Sequence, residues 1–155
     1  MDQKEIITHF YSSFQVLDAE GMVSCYHEDV TFQDPAFGTL KGKDAKDMWR
    51  MLCESQKGKD FKVTFSKVTD TRAYWEAEYI FSKTGRKVHN KINATFDFKD
   101  GLIIAHTDQF NLHQWAAQAL GWQGSILGWS AYFRKKLQAQ TRGMLKKYQD
   151  RHSIN

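Results

Sequence analysis

Three side chains have the types and spacing to move a proton: Asp34, His106 and Asp108. His106 and Asp108 stand two apart in LIIAHTDQF, and residues two apart on a strand share a face. That run alternates Leu102, Ile104, His106, Asp108 and Phe110 with Ile103, Ala105, Thr107 and Gln109, so the His and the Asp point inward. Asp34 ends EDVTFQD, residues 28–34, an alternating stretch that stops at Pro35, the single proline. A carboxyl group in apolar surroundings has a raised pKa, which suits general acid–base work. A neighbouring imidazole can share or relay its proton. Plainer roles compete. Asp34 can cap the loop that follows it. Asp108 can pair with His106 or a backbone amide, and His106 can be a satisfied interior histidine.

Other chemistries lack support. The six histidines, at 9, 27, 89, 106, 113 and 152, include no pair at helical spacing with a carboxylate nearby, so no metal site is expected. There is no GxSxG elbow and no phosphate loop, and GRK at 85–87 is a turn signal. No cofactor is expected. Cys25 and Cys53 fall in stretches that read as helices and are expected to be reduced core thiols.

The elements that must position these residues follow from periodicity. Asp2 and Glu5 have capping-box spacing, and Ile6, Phe10, Phe14 and Leu17 recur at helical spacing. Asp18 can cap a short second helix carrying Met22, Cys25 and Tyr26. PAFGTLKG reads as a loop, and Asp44 can cap a third helix with Ala45, Met48, Trp49 and Leu52 on one stripe. Phe61, Val63 and Phe65 alternate, with Val68 out of step, which suggests a bulge near Ser66. Thr84-Gly85 reads as a two-residue hairpin turn, which sets Tyr79 opposite Asn90, Ala77 opposite Ile92 and Trp75 opposite Ala94. Lys87, His89, Lys91, Asn93, Thr95 and Asp97 then face away from the core. A short helix, 112–120, ends at Gly121. Gly124, Gly128 and two Trp mark an apolar joint before a basic amphipathic helix with Phe133, Leu137, Met144, Leu145 and Tyr148 on its apolar side.

The 155 residues suit one domain, and 41% hydrophobic residues with 14% aromatics supply a core and the walls of a cavity. Arg134, Lys135, Lys136, Arg142, Lys146, Lys147 and Arg151 face Asp150 alone after Ser125, so this tail carries +6 and the first 124 residues carry −2 of the +4 total. The basic tail is expected to pack its apolar side on the domain or on a second subunit, rather than to bind nucleic acid or an acidic membrane. No stretch approaches the ~18 apolar residues of a membrane span. No apolar signal core follows Met1, so a cytoplasmic location is expected.

Three stretches carry a family resemblance: residues 10–42, FYSSFQVLDAEGMVSCYHEDVTFQDPAFGTLKG; residues 84–103, TGRKVHNKINATFDFKDGLI; and residues 106–121, HTDQFNLHQWAAQALG. Together they resemble the nuclear transport factor 2-like superfamily, in its SnoaL-like and ketosteroid-isomerase-like branch. The resemblance implies an α+β fold: a curved antiparallel sheet wrapped around N-terminal helices into a cone. It covers residues 1–121, with 122–155 as a C-terminal helical extension of the same domain. It also implies that Asp34 reaches the cavity of His106 and Asp108, and that a homodimer forms through the sheet near Asn93 and Thr95. Phe10, Phe14, Trp49, Trp75, Tyr79 and Asn90 are the ligand-binding candidates.

The fold hosts many functions, so each chemistry is weighed residue by residue. In the steroid isomerases the place of Asp34 holds the general base. Their oxyanion donors, a helix-one Tyr and a strand Asp, fall on Phe10 and Ala94, which cannot donate. The limonene-epoxide hydrolase triad matches only Asp108, because residues 73–82 hold no Asp or Arg. The resemblance to SnoaL-like polyketide cyclases, which use a pocket Asp without metal or cofactor, still holds. It implies a protein that binds a small apolar molecule, as an isomerase-, cyclase- or lyase-type enzyme in which Asp34 or Asp108, with His106, is acid and base on a carbonyl-type substrate. The alternative is a non-catalytic ligand-binding or protein-interaction domain on the same fold.

Overall fold

The computed structural model describes residues 1–153. Helix α1 (Gln3–Gln15) starts where the Asp2 carboxylate accepts the Glu5 amide at 2.8 Å. It buries Ile6, Ile7, Phe10, Tyr11 and Phe14. The chain reverses at Leu17, in the left-handed region at φ 56°. Helix α2 (Ala19–Val23) starts on Asp18, whose side chain accepts the Gly21 amide. Strands β1 (Tyr26–Asp34) and β2 (Gly38–Lys41) precede helix α3 (Lys43–Gln56). Strands β3 (Lys62–Ser66), β4 (Arg72–Phe81), β5 (Arg86–Lys99) and β6 (Leu102–Gln109) follow, then helices α4 (Leu112–Leu120), α5 (Trp122–Leu127) and α6 (Ala131–His152).

The six strands form one curved, unclosed sheet in the order β2-β1-β6-β5-β4-β3. Helices α1 to α3 pack on its inner face. Strand β5 shows why: from Val88 to Phe96 every second residue is buried or partly buried and those between are exposed. Phe10, Phe14 and Phe32 are fully buried, each contributing about 1.5–3 kcal/mol through burial. Cys25 and Cys53 are buried and free; Cys25 sits in the turn after α2 rather than in a helix.

The sheet departs from the sequence reading in five places. It is mixed, because β1 and β6 run parallel; the long excursion between them returns the chain in the same direction. The segment read as a loop contains β2, which pairs with β1 from Asp34 and Gly38 onward. Four residues with one buried side chain, Leu40, are too few to show a period. The β4–β5 turn has four residues, because Phe81 pairs with Arg86. Ala77 therefore faces Asn90, Trp75 faces Ile92 and Tyr79 faces Val88. This shift of two keeps every side chain on its predicted face. Strand β3 ends at Ser66 and turns at Lys67, φ 54°, while the β5–β6 irregularity lies at Asp97 and Phe98. That irregularity flips the start of β6, so Ile103 is fully buried instead of Leu102 and Ile104.

Two helix details also differ. Helix α3 starts at Gly42, φ 53°, with no side-chain cap, and Asp44 sits inside the first turn. Met144 is half exposed, whereas Leu145 and Tyr148 dock as expected.

Candidate active site

Asp34 sits where β1 stops. Its Oδ1 accepts the backbone N–H of Ala36 at 2.9 Å and of Phe37 at 2.6 Å. The loop-capping role is therefore real, but it occupies one oxygen. Oδ2 has no hydrogen-bond partner among the described residues, and the carboxyl lines a cavity of about 630 Å³. Burial pushes the Asp34 pKa up to about 7, against the pull of the Phe37 and Ala36 amides and with a push from the charge of Asp108. The group is thus poised to hold or release a proton near neutral pH.

Asp108 reaches the same cavity from β6 and is 3% exposed. Its Oδ1 accepts from His106 Nε2 at 2.9 Å and from Trp75 Nε1 at 3.3 Å. His106 is fully buried and meets the cavity only through Asp108. Its Nδ1 lies 2.7 Å from the Tyr26 hydroxyl, which also accepts from Trp49 Nε1 at 2.8 Å. One arrangement of hydrogens satisfies the whole chain. Trp49 donates to Tyr26, Tyr26 donates to His106 Nδ1, and His106 donates from Nε2 to Asp108. The tautomer of the imidazole is then set by the group behind it. This buried relay fixes the orientation of Asp108.

Tyr79 supplies a donor. Its hydroxyl accepts from Trp115 Nε1 at 2.7 Å and has no acceptor for its own proton among the described residues. Burial raises its pKa, the Trp115 bond opposes this and the charge of Asp34 adds to it, so the phenol keeps its proton. The Asn90 carboxamide also lines the cavity without a protein partner among the described residues.

Of the six binding candidates, Phe14, Trp49, Trp75, Tyr79 and Asn90 lie on the cavity wall. Phe10 does not. It packs beneath, 5.4 Å from each of the Tyr26, Trp49 and His106 rings. A helical stripe cannot by itself separate the residues that line a cavity from those that support its floor. The neighbouring Tyr11 is fully buried with an unpartnered hydroxyl and is no wall residue either.

Sequence reasoning missed Tyr26, Trp115 and the α6 wall. Tyr26 and His106 are 80 positions apart, a pairing no local pattern reveals. The α6 stripe was visible, but not the surface it covers. Phe133, Leu137 and Thr141 close one side of the cavity. The same helix grips the loop after Asp34: Gln138 donates to Pro35 O, Thr141 to Ala36 O and Arg142 to Phe37 O. The amides that hold Asp34 thus belong to a loop whose carbonyls are held by α6. Among the described residues no three His, Cys, Asp or Glu side chains group as metal ligands.

The SnoaL-like domain model matches residues 7–106, so the chain belongs to the SnoaL-like domain family. Solved structures share the fold at low identity. A proposed polyketide cyclase from Silicibacter sp. TM1040 is 21% identical, with a TM-score of 0.57 over 76% of this chain and 94% of that one. A hypothetical protein with a ketosteroid isomerase-like fold from Catenulispora acidiphila, in complex with trimethylamine, is 17% identical, with a TM-score of 0.56 over 74% and 92%. TerC co-crystallised with polyporic acid is 21% identical, with a TM-score of 0.53 over 70% and 91%. No curated protein sequence matches this chain. The family and the fold are consistent with a domain that binds a small molecule in its cavity.

Proposed function

We propose that the cavity binds an apolar molecule bearing a carbonyl group, and that Asp34 moves a proton on it without a cofactor. What supports this reading is that Asp34, whose pKa burial pushes up to about 7, and the Tyr79 phenol both line one largely apolar cavity. The substrate carbonyl oxygen accepts from Tyr79. Asp34 Oδ2 takes the proton from the adjacent carbon; the C–H pair becomes the enolate, whose oxygen Tyr79 holds. Returning the proton elsewhere gives isomerisation, and attack by the enolate on a second carbonyl gives cyclisation. Asp108, oriented by His106, is the second proton acceptor. Tyr79 thus meets, from another wall, the need that Phe10 and Ala94 cannot. Two similarly folded proteins support the choice of ligand: a proposed polyketide cyclase and a protein crystallised with polyporic acid.

A homodimer through the outer sheet face near Asn93 and Thr95, and a cytoplasmic location, belong to the same proposal. So does the division into a cone of 1–121 and an extension of 122–155.

The test is a thermal-shift screen of steroids, polyketide-like aromatics, terpenoid epoxides and short acyl compounds. Wild type is compared with Asp34→Asn, Asp108→Asn and Tyr79→Phe. A ligand at ~100 times its dissociation constant adds roughly 2.7 kcal/mol. The expected hit is a carbonyl compound with about tenfold weaker affinity for Tyr79→Phe, whose turnover is lost in Asp34→Asn. Full turnover in both Asp→Asn variants would refute the mechanism. Binding that no variant alters, without turnover, would assign the chain to the non-catalytic alternative.

A further inference from the structure

Helix α5 packs the wrong way round for an amphipathic helix. Its glycines face the protein: a Cβ on Gly124 would lie 1.9 Å from Ala116 O, and one on Gly128 would lie 2.7 Å from Ala116 Cβ. The helix therefore approaches α4 through its smallest residues and turns its largest ones outward. Trp122 is 71% exposed, Ile126 56%, Leu127 57%, and beyond the helix Trp129 and Tyr132 are each 75% exposed. Single exposed apolar residues are ordinary, but five within eleven positions are a concentration that points to a binding surface. Leu127 and Tyr132, with the half-exposed Met144, also line the cavity, so this surface borders its mouth.

The charge along this segment of the chain is of one sign. Between Asp108 and Asp150 the chain contains no Asp or Glu, yet it carries Arg134, Lys135, Lys136, Arg142, Lys146 and Lys147. The cations that line the cavity, Lys59, Lys83 and Lys136, are all exposed, whereas its two carboxyl groups lie inside. A second copy meeting this face about a two-fold axis would set one cationic run against another. A nucleic acid would satisfy the cations but not the aliphatic Ile126, Leu127 and Met144. A bilayer with acidic headgroups satisfies both sets, with Trp and Tyr at the interface and Lys and Arg at the phosphates.

We infer that the α5–α6 corner docks the cavity mouth onto an anionic lipid surface. Among the described residues no helix is long and apolar enough to cross a membrane, so the contact is peripheral. If the cavity holds an apolar ligand, as proposed above, that ligand exchanges between the cavity and the bilayer.

Flotation of the ligand-free protein with phosphatidylcholine vesicles, with and without phosphatidylglycerol, tests the docking. Failure here leaves the reading of Asp34 standing, because no ligand is present. The protein is expected to float with the acidic vesicles only, and salt should release it. Trp122→Ser with Trp129→Ser should weaken binding at least about tenfold without lowering Tm, since both side chains lie at the surface. Arg134→Gln with Lys135→Gln should weaken it separately. Absence of flotation would overturn the proposal, as would binding that survives loss of both tryptophans. A dimer in sedimentation velocity that the tryptophan substitutions dissolve would assign the face to a second copy. Binding to a single-stranded oligonucleotide, lost with the same substitutions and without vesicle binding, would assign it to nucleic acid.

Discussion

At the scale of the residue, polar groups in this interior do two jobs at once. Asp34 caps its loop with one oxygen and offers the other to the cavity. Asp108 pairs with His106 and Trp75 and still faces the cavity. The structural and functional readings of these residues are therefore not rivals. Tyr26 is the hinge of the relay. Tyr26→Phe strands Trp49 Nε1 and His106 Nδ1 without partners, and urea unfolding should show a loss of about 2–4 kcal/mol. Tyr11 is the converse case. Its buried hydroxyl has no partner, so Tyr11→Phe should raise stability by about 0.5–1 kcal/mol. A loss instead would mean that the hydroxyl has a partner in solution.

At the scale of the element, periodicity served where a whole face is buried. The bounds of α4 and the alternation of β5 were legible because each carries several turns or pleats of consistent burial. The parallel pairing of β1 with β6 was not, since nothing local reports which distant strand lies beside another. Nor was β2, whose four residues bury one side chain. In the candidate site, the acids on the cavity wall were legible by type, and Tyr26, Trp115 and the α6 wall, which act by position, were not. The orientation of α5 was also hidden, because glycine spacing decided it against hydrophobicity. Gly124→Ala tests this directly. Its Cβ would collide with backbone, so α5 must lift from α4. Amide exchange across 122–128 should rise sharply while the β5 and β6 amides stay protected.

At the scale of the molecule, the two carboxyl groups lie inside one cavity and the excess positive charge lies in the segment that closes it. This arrangement ties stability to pH with a definite sign. The folded pKa of Asp34, about 7, stands above the ordinary carboxylate value. Its contribution is therefore fully present below about pH 4 and is lost as pH rises through 7. Glu20 and Asp47 act in the opposite direction: Arg50 lowers the pKa of Glu20, and against its burial Lys43, Gln149 and Arg50 lower that of Asp47. Comparison with Asp34→Asn isolates the Asp34 term. The variant should gain about 1–3 kcal/mol over wild type between pH 5 and pH 8.5, read as a widening difference in Tm. A pH-independent difference would show that Asp34 is solvated like a surface carboxylate.

The central claim is that Asp34 is a working acid and base and not merely a cap. Titration of its side-chain carboxyl by carbon-13 NMR, assigned with the Asp34→Asn variant, measures this without knowledge of the substrate. A midpoint near 7, shifting when Asp108 is replaced by Asn, is expected. A midpoint near 4, indifferent to Asp108, would contradict it and leave Asp34 as the cap of its loop.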